Sequence, residues 1–395
     1  TDVYELDASP HDAGTVYVAA SRYRTANDFL PYLWKTTDFG KTWVNLSKNF
    51  PQTEITRTIR EDTVRKGMLF VGTETGLFIS FDDSASWKRF NLNLPAVPVH
   101  DMKRKDEDLV IATFGRSFWI LDDISPLRQW DEKYRGQTSH LFKPRTHTRL
   151  GINWWALYGG GVGGGQKNYF VQNGRLGHTF YESGIVNGER KRKFLDAGGA
   201  RPYGAIIHYW LGEDAKDVSL SILDENDQLI KTYEGDMLSQ EAGLNRMIWD
   251  MNYPDAIAVP GKPAPGIIVQ AKVGTYKAKL AVNGKSQKQT FELKMNPNEK
   301  YTAKDSAARF ELWWRLRSIF ERSNREIIAA MELAKEACED SEITKRAKEF
   351  SGKLVPQGAT LSEIANEPPK MLSKLTTVSS VLFHSEGPPP QSAYD

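Results

Sequence analysis

Short apolar runs separated by turn-forming residues occupy the first third of the chain. Apolar runs of this length, flanked by glycine, aspartate and serine, indicate short antiparallel strands rather than helices. Residues 16–19, 69–72 and 109–112 fall at equivalent places in three successive units. The pattern predicts that residues 1–130 fold as a repeat of small β-sheets.

Two turn motifs mark this repeat. Residues 36–43 read TTDFGKTW and residues 80–87 read SFDDSASW, so both follow the pattern hydroxyl-x-Asp-x-(Gly or Ser)-x-hydroxyl-Trp. Short polar side chains in such a turn bond its backbone N–H groups, and the tryptophan packs the turn against the strands. We assign a structural and not a chemical role to the residues of these two Asp-box turns: Thr36, Asp38, Gly40, Thr42, Trp43, Ser80, Asp82, Ser86 and Trp87.

The spacing of the motifs predicts the kind of sheet. Asp38, Asp82 and Asp122 are separated by 44 and 40 residues, a period typical of four-stranded propeller blades. Residues 118–123 repeat the apolar run and the paired aspartates without the closing tryptophan. A closed propeller needs at least about four blades. We therefore expect about three blades here, the last of a propeller whose remaining blades come from upstream or from another chain.

The pattern changes after residue 130. Residues 131–200 are irregular and glycine-rich, and they are expected to form a connector. Residues 201–298 alternate as in an immunoglobulin-like β-sandwich, with Asn283-Gly284 as a hairpin turn. Residues 299–395 change to a helical period after Thr302, which can cap a helix. The predicted fold class is mainly β: a partial β-propeller of about three blades, then the sandwich and a helical C-terminal region.

Charge and cysteine content exclude several function classes. The 52 basic and 50 acidic residues are well mixed, so nothing indicates a nucleic-acid partner. No apolar run approaches the roughly 20 residues of a membrane span. The single cysteine, Cys338, excludes an internal disulfide framework and a cysteine-rich metal site, and the seven histidines show no metal-ligand spacing. We predict no metal and no cofactor.

Several longer stretches of the sequence resemble one known family. Residues 32–43, 72–76, 91–95 and 115–123, together with 243–250 and 274–276, look like the C-terminal part of bacterial sortilin-like, Asp-box (BNR) repeat propeller proteins. Proteins of that family are often labelled glycosyl hydrolases, a label that rests largely on the Asp box itself. The resemblance covers nearly the whole chain. It implies an extracytoplasmic bacterial protein (periplasmic, outer-surface or secreted) and a long N-terminal propeller portion.

Three places in the sequence could bind a ligand. Their residues are Arg22, Tyr23, Arg24, Arg116, Trp154 and Trp155. The first three lie in an insertion between two strands, where loops carry binding; alternatively Phe29 and Pro31 pack over the next blade and the arginines are solvated. Arg116 could point into the propeller channel or pair with a carboxylate. The tryptophan pair could stack on a sugar, seat a partner or cap the junction with the sandwich.

No catalytic constellation is readable in the sequence. A sialidase-like site needs an arginine cluster, a Tyr–Glu pair and an acidic residue. The chain offers candidates for each, but carboxylates are too common in it to indicate an active site: Arg22, Arg24, Arg57, Arg60, Arg116, Glu61, Glu74, Asp101 and Tyr23. We predict a non-catalytic binding or scaffold protein of the cell envelope or exterior, which recognises protein or peptide partners through the propeller face and the sandwich. The alternative is a glycan-binding, polysaccharide-active glycoside hydrolase (sialidase-like or xyloglucanase-like), with catalytic residues mostly in a missing N-terminal half.

Overall fold

The computed structural model describes residues 1–149, 204–261, 267–298, 300–336 and 342–354, the backbones of three strands between 167 and 194, and short stretches from 374 to 394. The chain divides into two compact units, Thr1–Lys133 and Tyr134–Asp395.

The first unit contains three antiparallel sheets, each with its strands in sequence order. The first sheet consists of β1 (Asp2–Ala8), β2 (Val16–Arg22), β3 (Asp28–Thr36) and β4 (Val44–Asn45), with the short helix α1 (Tyr23–Ala26) between β2 and β3. The second consists of β5 (Thr56–Glu61), β6 (Leu69–Thr73), β7 (Leu77–Ser80) and β8 (Lys88–Arg89). The third consists of β9 (Val99–Lys105), β10 (Asp108–Thr113) and β11 (Phe118–Leu121), and the helix α2 (Ser125–Gln129) follows it.

Two apolar layers join these sheets face to face. Tyr17 and Leu33 of the first sheet pack against Phe78 of the second, and Phe70 of the second packs in one cluster with Met102 of the third. Strand β5 is buried along its whole length because it lies in the middle sheet. Successive twisted sheets stacked in this way are propeller blades.

The second unit contains a two-sheet sandwich. One sheet has the order β12 (Ser139–Leu141), β17 (Ala205–Leu211) and β20 (Gly243–Trp249). The other has the order β13 (His147–Arg149), β22 (Lys285–Met295), β21 (Gly274–Val282), β18 (Val218–Leu223) and β19 (Leu229–Glu234). A separate antiparallel sheet contains β14 (Lys167–Tyr169), β15 (Thr179–Val186) and β16 (Glu189–Phe194).

Large buried side chains fill the sandwich between its two sheets. Tyr209 and Trp249 come from one sheet, and Tyr276 and Phe291 from the other. The predicted Asn283-Gly284 hairpin joins β21 to β22, and both turn residues have positive φ, as a type I′ turn requires. The interval 131–200 differs from the irregular connector expected there, because β12 to β16 lie within it. Three of these strands, β12, β13 and β14, have only three residues each and leave no periodic signal in a sequence.

Two helices follow the sandwich. Helix α3 (Ala303–Glu336) begins at the predicted cap, where the Thr302 hydroxyl donates to Asp305 Oδ2 at 2.7 Å and the Asp305 N–H returns a bond at 3.2 Å. Trp313 and Phe320 of this helix pack on Ile267 in an apolar cluster. Helix α4 (Glu342–Leu354) comes next. The predicted fold class, a mainly β chain with propeller blades, a sandwich and a helical C-terminal region, is confirmed. Among the described residues, no helix combines the length and apolar character that a membrane crossing needs.

Candidate functional site

The first Asp-box turn is held by local hydrogen bonds. The Thr36 hydroxyl donates to Asp38 Oδ1 at 2.8 Å and accepts the Gly40 N–H at 2.9 Å. The Asp38 carboxylate in turn accepts the Thr42 N–H at 2.8 Å and the Thr42 hydroxyl at 2.7 Å. These bonds from Thr42 hold the pKa of Asp38 below its ordinary value. The Trp43 indole donates to the Gly40 carbonyl oxygen at 3.1 Å, which closes the turn.

The second Asp-box turn repeats this geometry. Ser80 replaces the threonine and accepts the Ser84 N–H at 2.9 Å, while Asp82 accepts the Ser86 N–H at 2.9 Å. Burial opposes ionisation of Asp82, but the hydrogen bonds from Ser86 keep its pKa below the ordinary value. Ser84 takes φ +74° where the first turn has a glycine. The Trp87 ring packs edge-on against Phe50 at 5.2 Å. Both turns are therefore structural in their contacts.

The insertion of the first sheet brings two of its three candidate residues, Tyr23 and Arg24, together with Arg57. Arg24 Nε and Arg57 Nη2 both donate to the Tyr23 hydroxyl oxygen, at 2.8 and 3.2 Å. Burial opposes ionisation, yet the two guanidinium groups lower the pKa of Tyr23 below its ordinary value. Arg22 lies apart from them, 3.8 Å from the Asp28 carboxylate.

The sequence alternatively predicts that Phe29 and Pro31 of this insertion pack over the next blade, and only one of them is buried. Pro31 is buried, whereas Phe29 keeps 52% of its surface exposed. The insertion therefore presents an aromatic ring as well as guanidinium groups to solvent.

Arg116 lies in the exposed turn between β10 and β11. Its guanidinium forms no ion pair with any residue that the structure describes, while its backbone oxygen accepts the Trp119 indole N–H at 3.0 Å. Phe114 of the same turn stacks its ring on that of His100 at 5.3 Å. Trp154 and Trp155, the remaining candidates, lie outside the described residues.

The first strands of the three blades share a charge network that sequence reasoning missed. Arg60 of β5, 5% exposed, bonds Glu5 Oε1 of β1 at 2.7 Å and Asp101 Oδ1 of β9 at 2.7 Å. Arg104 of β9 bonds Asp7 of β1 at 3.1 Å. Strand β5 carries Arg57, Arg60 and Glu61 and is buried at every position, so its charges need partners within the protein. The network joins the blades electrostatically at their first strands.

Two of the arginines considered for a carboxylate-binding cluster, Arg57 and Arg60, are already paired with carboxylates. Arg57 bonds the Glu74 carboxylate through both Nε and Nη2, and Arg60 is surrounded by three carboxylates. A sialidase-like site requires guanidinium groups that are free to receive a substrate carboxylate. Neither Arg57 nor Arg60 meets that requirement.

The second unit has a cavity of about 450 Å³ between the sandwich and α3. Its aromatic side consists of Tyr253, Phe310 and Trp314, with the Phe310 and Trp314 rings stacked at 5.8 Å. Burial, together with the nearby carboxylates of Asp224 and Glu225, raises the pKa of Tyr253 to about 12.

The charges around this cavity are largely satisfied within the protein. Arg317 lies over the Trp314 ring at 5.3 Å and donates to the Pro254 carbonyl oxygen at 2.9 Å. Lys272 lies 3.3 Å from the Glu225 carboxylate. The cavity therefore offers an aromatic surface with little uncompensated charge. Among the described residues, no group of three or more His, Cys, Asp or Glu side chains could hold a metal ion.

Comparisons with known proteins identify no family. No family model matches the chain, and no curated protein matches it. Among solved structures, YCF48 bound to D1 peptide aligns at 10% identity over 73% of this chain and 81% of its own, with a TM-score of 0.25. An ancestral GH74 enzyme aligns at 12% identity over 59% and 38%, with a TM-score of 0.25. CopC from Methylosinus trichosporium OB3b aligns at 17% identity over 26% and 85%, with a TM-score of 0.17. Similarities this low carry no argument here, and the resemblance to sortilin-like proteins stays a prediction.

Proposed function

We propose that this protein is a non-catalytic binding or scaffold protein of the bacterial cell envelope or exterior, which recognises protein or peptide partners through its propeller blades and its sandwich. One observation carries the proposal. The third blade exposes an apolar patch on one face of β11, where Phe118 and Ile120 keep 73% and 58% of their surface accessible, and Phe114 in the preceding turn is 69% exposed. Contiguous exposed apolar surface on a folded protein is typical of a protein interaction site.

The first blade has a similar apolar surface. Val3 and Leu6 of β1 are 58% and 63% exposed, while Tyr17 and Leu33 of the same sheet pack against the second blade. Further blades, from this protein or another, are the partners that we propose for these surfaces. We also propose that residues 1–130 form the blades, that the sandwich of residues 201–298 includes β12 and β13 from the interval 131–200, and that residues 299–395 form the helical tail.

The alternative function, a polysaccharide-active hydrolase, gains no support from the described residues. Arg57 and Arg60 are occupied by Glu74, Glu5, Asp7 and Asp101. An extracytoplasmic location is supported by the sequence resemblance.

The test is native mass spectrometry of the protein purified from its source. We expect a second polypeptide in fixed stoichiometry, lost in the variant Phe118→Lys with Ile120→Lys and kept in Val64→Lys. Val64 is the matched control because it is 65% exposed in the same unit but lies outside the patch. Turnover of a labelled polysaccharide, abolished by Glu74→Gln, would instead establish the hydrolase.

A further inference from the structure

The outer edge of the third sheet differs from those of the first two. In the first sheet, β4 pairs with the outer edge of β3, with Lys35 opposite Val44. In the second sheet, β8 pairs with β7, with Ile79 opposite Lys88. In the third sheet, β11 pairs with β10, and no other described strand pairs with it. Among the strands that the structure describes, a position that is filled in two blades therefore has no occupant in the third.

The sequence after β11 explains why the chain does not fill this position itself. The third repeat of the first unit lacks the serine or threonine and the tryptophan that end the Asp-box turns of the first two repeats. Instead, the Asp123 carboxylate accepts the Ser125 N–H at 3.1 Å, and Pro126 lies in the first turn of α2. Arg128 of that helix then bonds the buried Asp62 carboxylate at 2.9 Å. These contacts hold the chain that follows β11 in a helix rather than a fourth strand.

The side chains of β11 suit the addition of a strand. Trp119 and Leu121 pack against the apolar layer below the sheet, whereas Phe118 and Ile120 alternate with them and are exposed. The pairing with β10 contains no bulge, and β11 contains neither proline nor a charged residue. Bulges, prolines and charges are three of the usual protections of an exposed edge, and this edge has none of them, although its four residues make it short.

We propose that the outer edge of β11 is a docking site for the fourth strand of another Asp-box sheet, added antiparallel to β11. This inference rests on the proposed binding function and specifies its partner. The occupant follows from the equivalent positions in the first two sheets, where a strand directly after an Asp-box turn occupies this edge. Main-chain hydrogen bonds supply affinity, and apolar side chains of the added strand cover Phe118 and Ile120.

Charge defines one end of the docking site. Arg116 precedes β11, is exposed and forms no ion pair with a described residue. A strand that runs antiparallel to β11 places its C-terminal end beside Arg116. An acidic residue or a free carboxylate at that end would pair with the guanidinium.

A peptide that copies residues 36–47 provides a direct probe, because it contains an intact Asp-box turn and the β4 strand. Hydrogen exchange of the full chain would be followed with the peptide supplied up to millimolar concentration. We expect slowed exchange in residues 118–121, and no slowing with a scrambled peptide of the same composition. Phe118→Lys with Ile120→Lys should weaken peptide binding about tenfold or more, since a buried large apolar side chain contributes about 1.5–3 kcal/mol. Val64→Lys should leave binding unchanged.

Two results would overturn this inference. Equal exchange with the copied and scrambled peptides would show that the edge does not accept such a strand. Protection that survives in the double lysine variant would show that the peptide binds elsewhere. A natural partner that stays bound to the same variant would also reject the edge, yet it would leave the proposed binding function intact.

Discussion

Replacing Arg128 with methionine should lower the free energy of unfolding of the first unit by about 3 kcal/mol. Arg128 bonds both carboxylate oxygens of Asp62, and the two side chains are 6% and 0% exposed. Removing one partner of a buried ion pair leaves the other charge without compensation, which costs about 3–5 kcal/mol. The lower end applies because Asp62 also accepts the Val64 and Arg65 N–H groups, at 2.8 and 2.7 Å.

The measurement is urea unfolding monitored by hydrogen exchange. Exchange is measured in peptides from residues 1–133, so that the stability of the first unit is determined separately from that of the second. A loss of about 3 kcal/mol corresponds to roughly 100-fold faster exchange in the most protected strands, if exchange there requires global unfolding. Arg116→Met is the matched control, because that exposed arginine forms no described ion pair, and it should change stability by less than about 0.5 kcal/mol.

A double-mutant cycle isolates the pair itself. Asp62→Asn combined with Arg128→Met should cost less than the two single substitutions added together, by about 1–3 kcal/mol. If Arg128→Met costs no more than Arg116→Met, or if the cycle is additive, the ion pair does not hold α2 on the second blade and our reasoning is wrong.

Three further predictions concern turns and caps. Ser84→Gly should stabilise the first unit by about 1 kcal/mol in urea unfolding, because φ +74° is strained for serine and free for glycine; Ser86→Gly, which would remove the hydroxyl donor to Asp82, should destabilise it. Because the pKa of Asp38 is lowered in the fold, its stabilising contribution is present above the unfolded pKa near 4 and is lost as the pH falls through the folded value. Asp38→Asn should therefore flatten the acid dependence of amide exchange at Gly40 and Thr42, and an unchanged profile would contradict the assignment. Thr302→Ala should cost about 1 kcal/mol and speed exchange in the first turn of α3, whereas Thr302→Ser should restore the cap.

The turns and caps were predictable because their contacts are local. Thr36, Asp38 and Thr42 bond one another within seven residues, and the spacing of donors and acceptors is fixed by the backbone between them. Asn283-Gly284 and Thr302 likewise act on neighbours within a few residues. Local chemistry of this kind can be recognised in a sequence before any tertiary contact is known.

The charge network and the extra strands depend on distant partners. Arg60 meets Glu5 and Asp101, which lie more than 40 residues away in either direction, so no local pattern identifies the three as one group. Strand β12 pairs with β17 across more than 60 residues and is too short to show alternation. Fragments of three residues become strands only where a neighbouring sheet supplies hydrogen-bond partners.

The sequence by itself determined the repeat, its two Asp-box turns, the hairpin and the helix cap, because each depends on side chains that bond the nearby backbone. Only the tertiary structure decided which charges are neutralised and which surfaces stay open. The sequence shows that no tryptophan closes a turn after residue 123. It does not show whether another strand pairs with the outer edge of β11. Whether β11 has an outer neighbour depends on where α2 packs, and the pairing of Arg128 with Asp62 across 66 residues fixes that position.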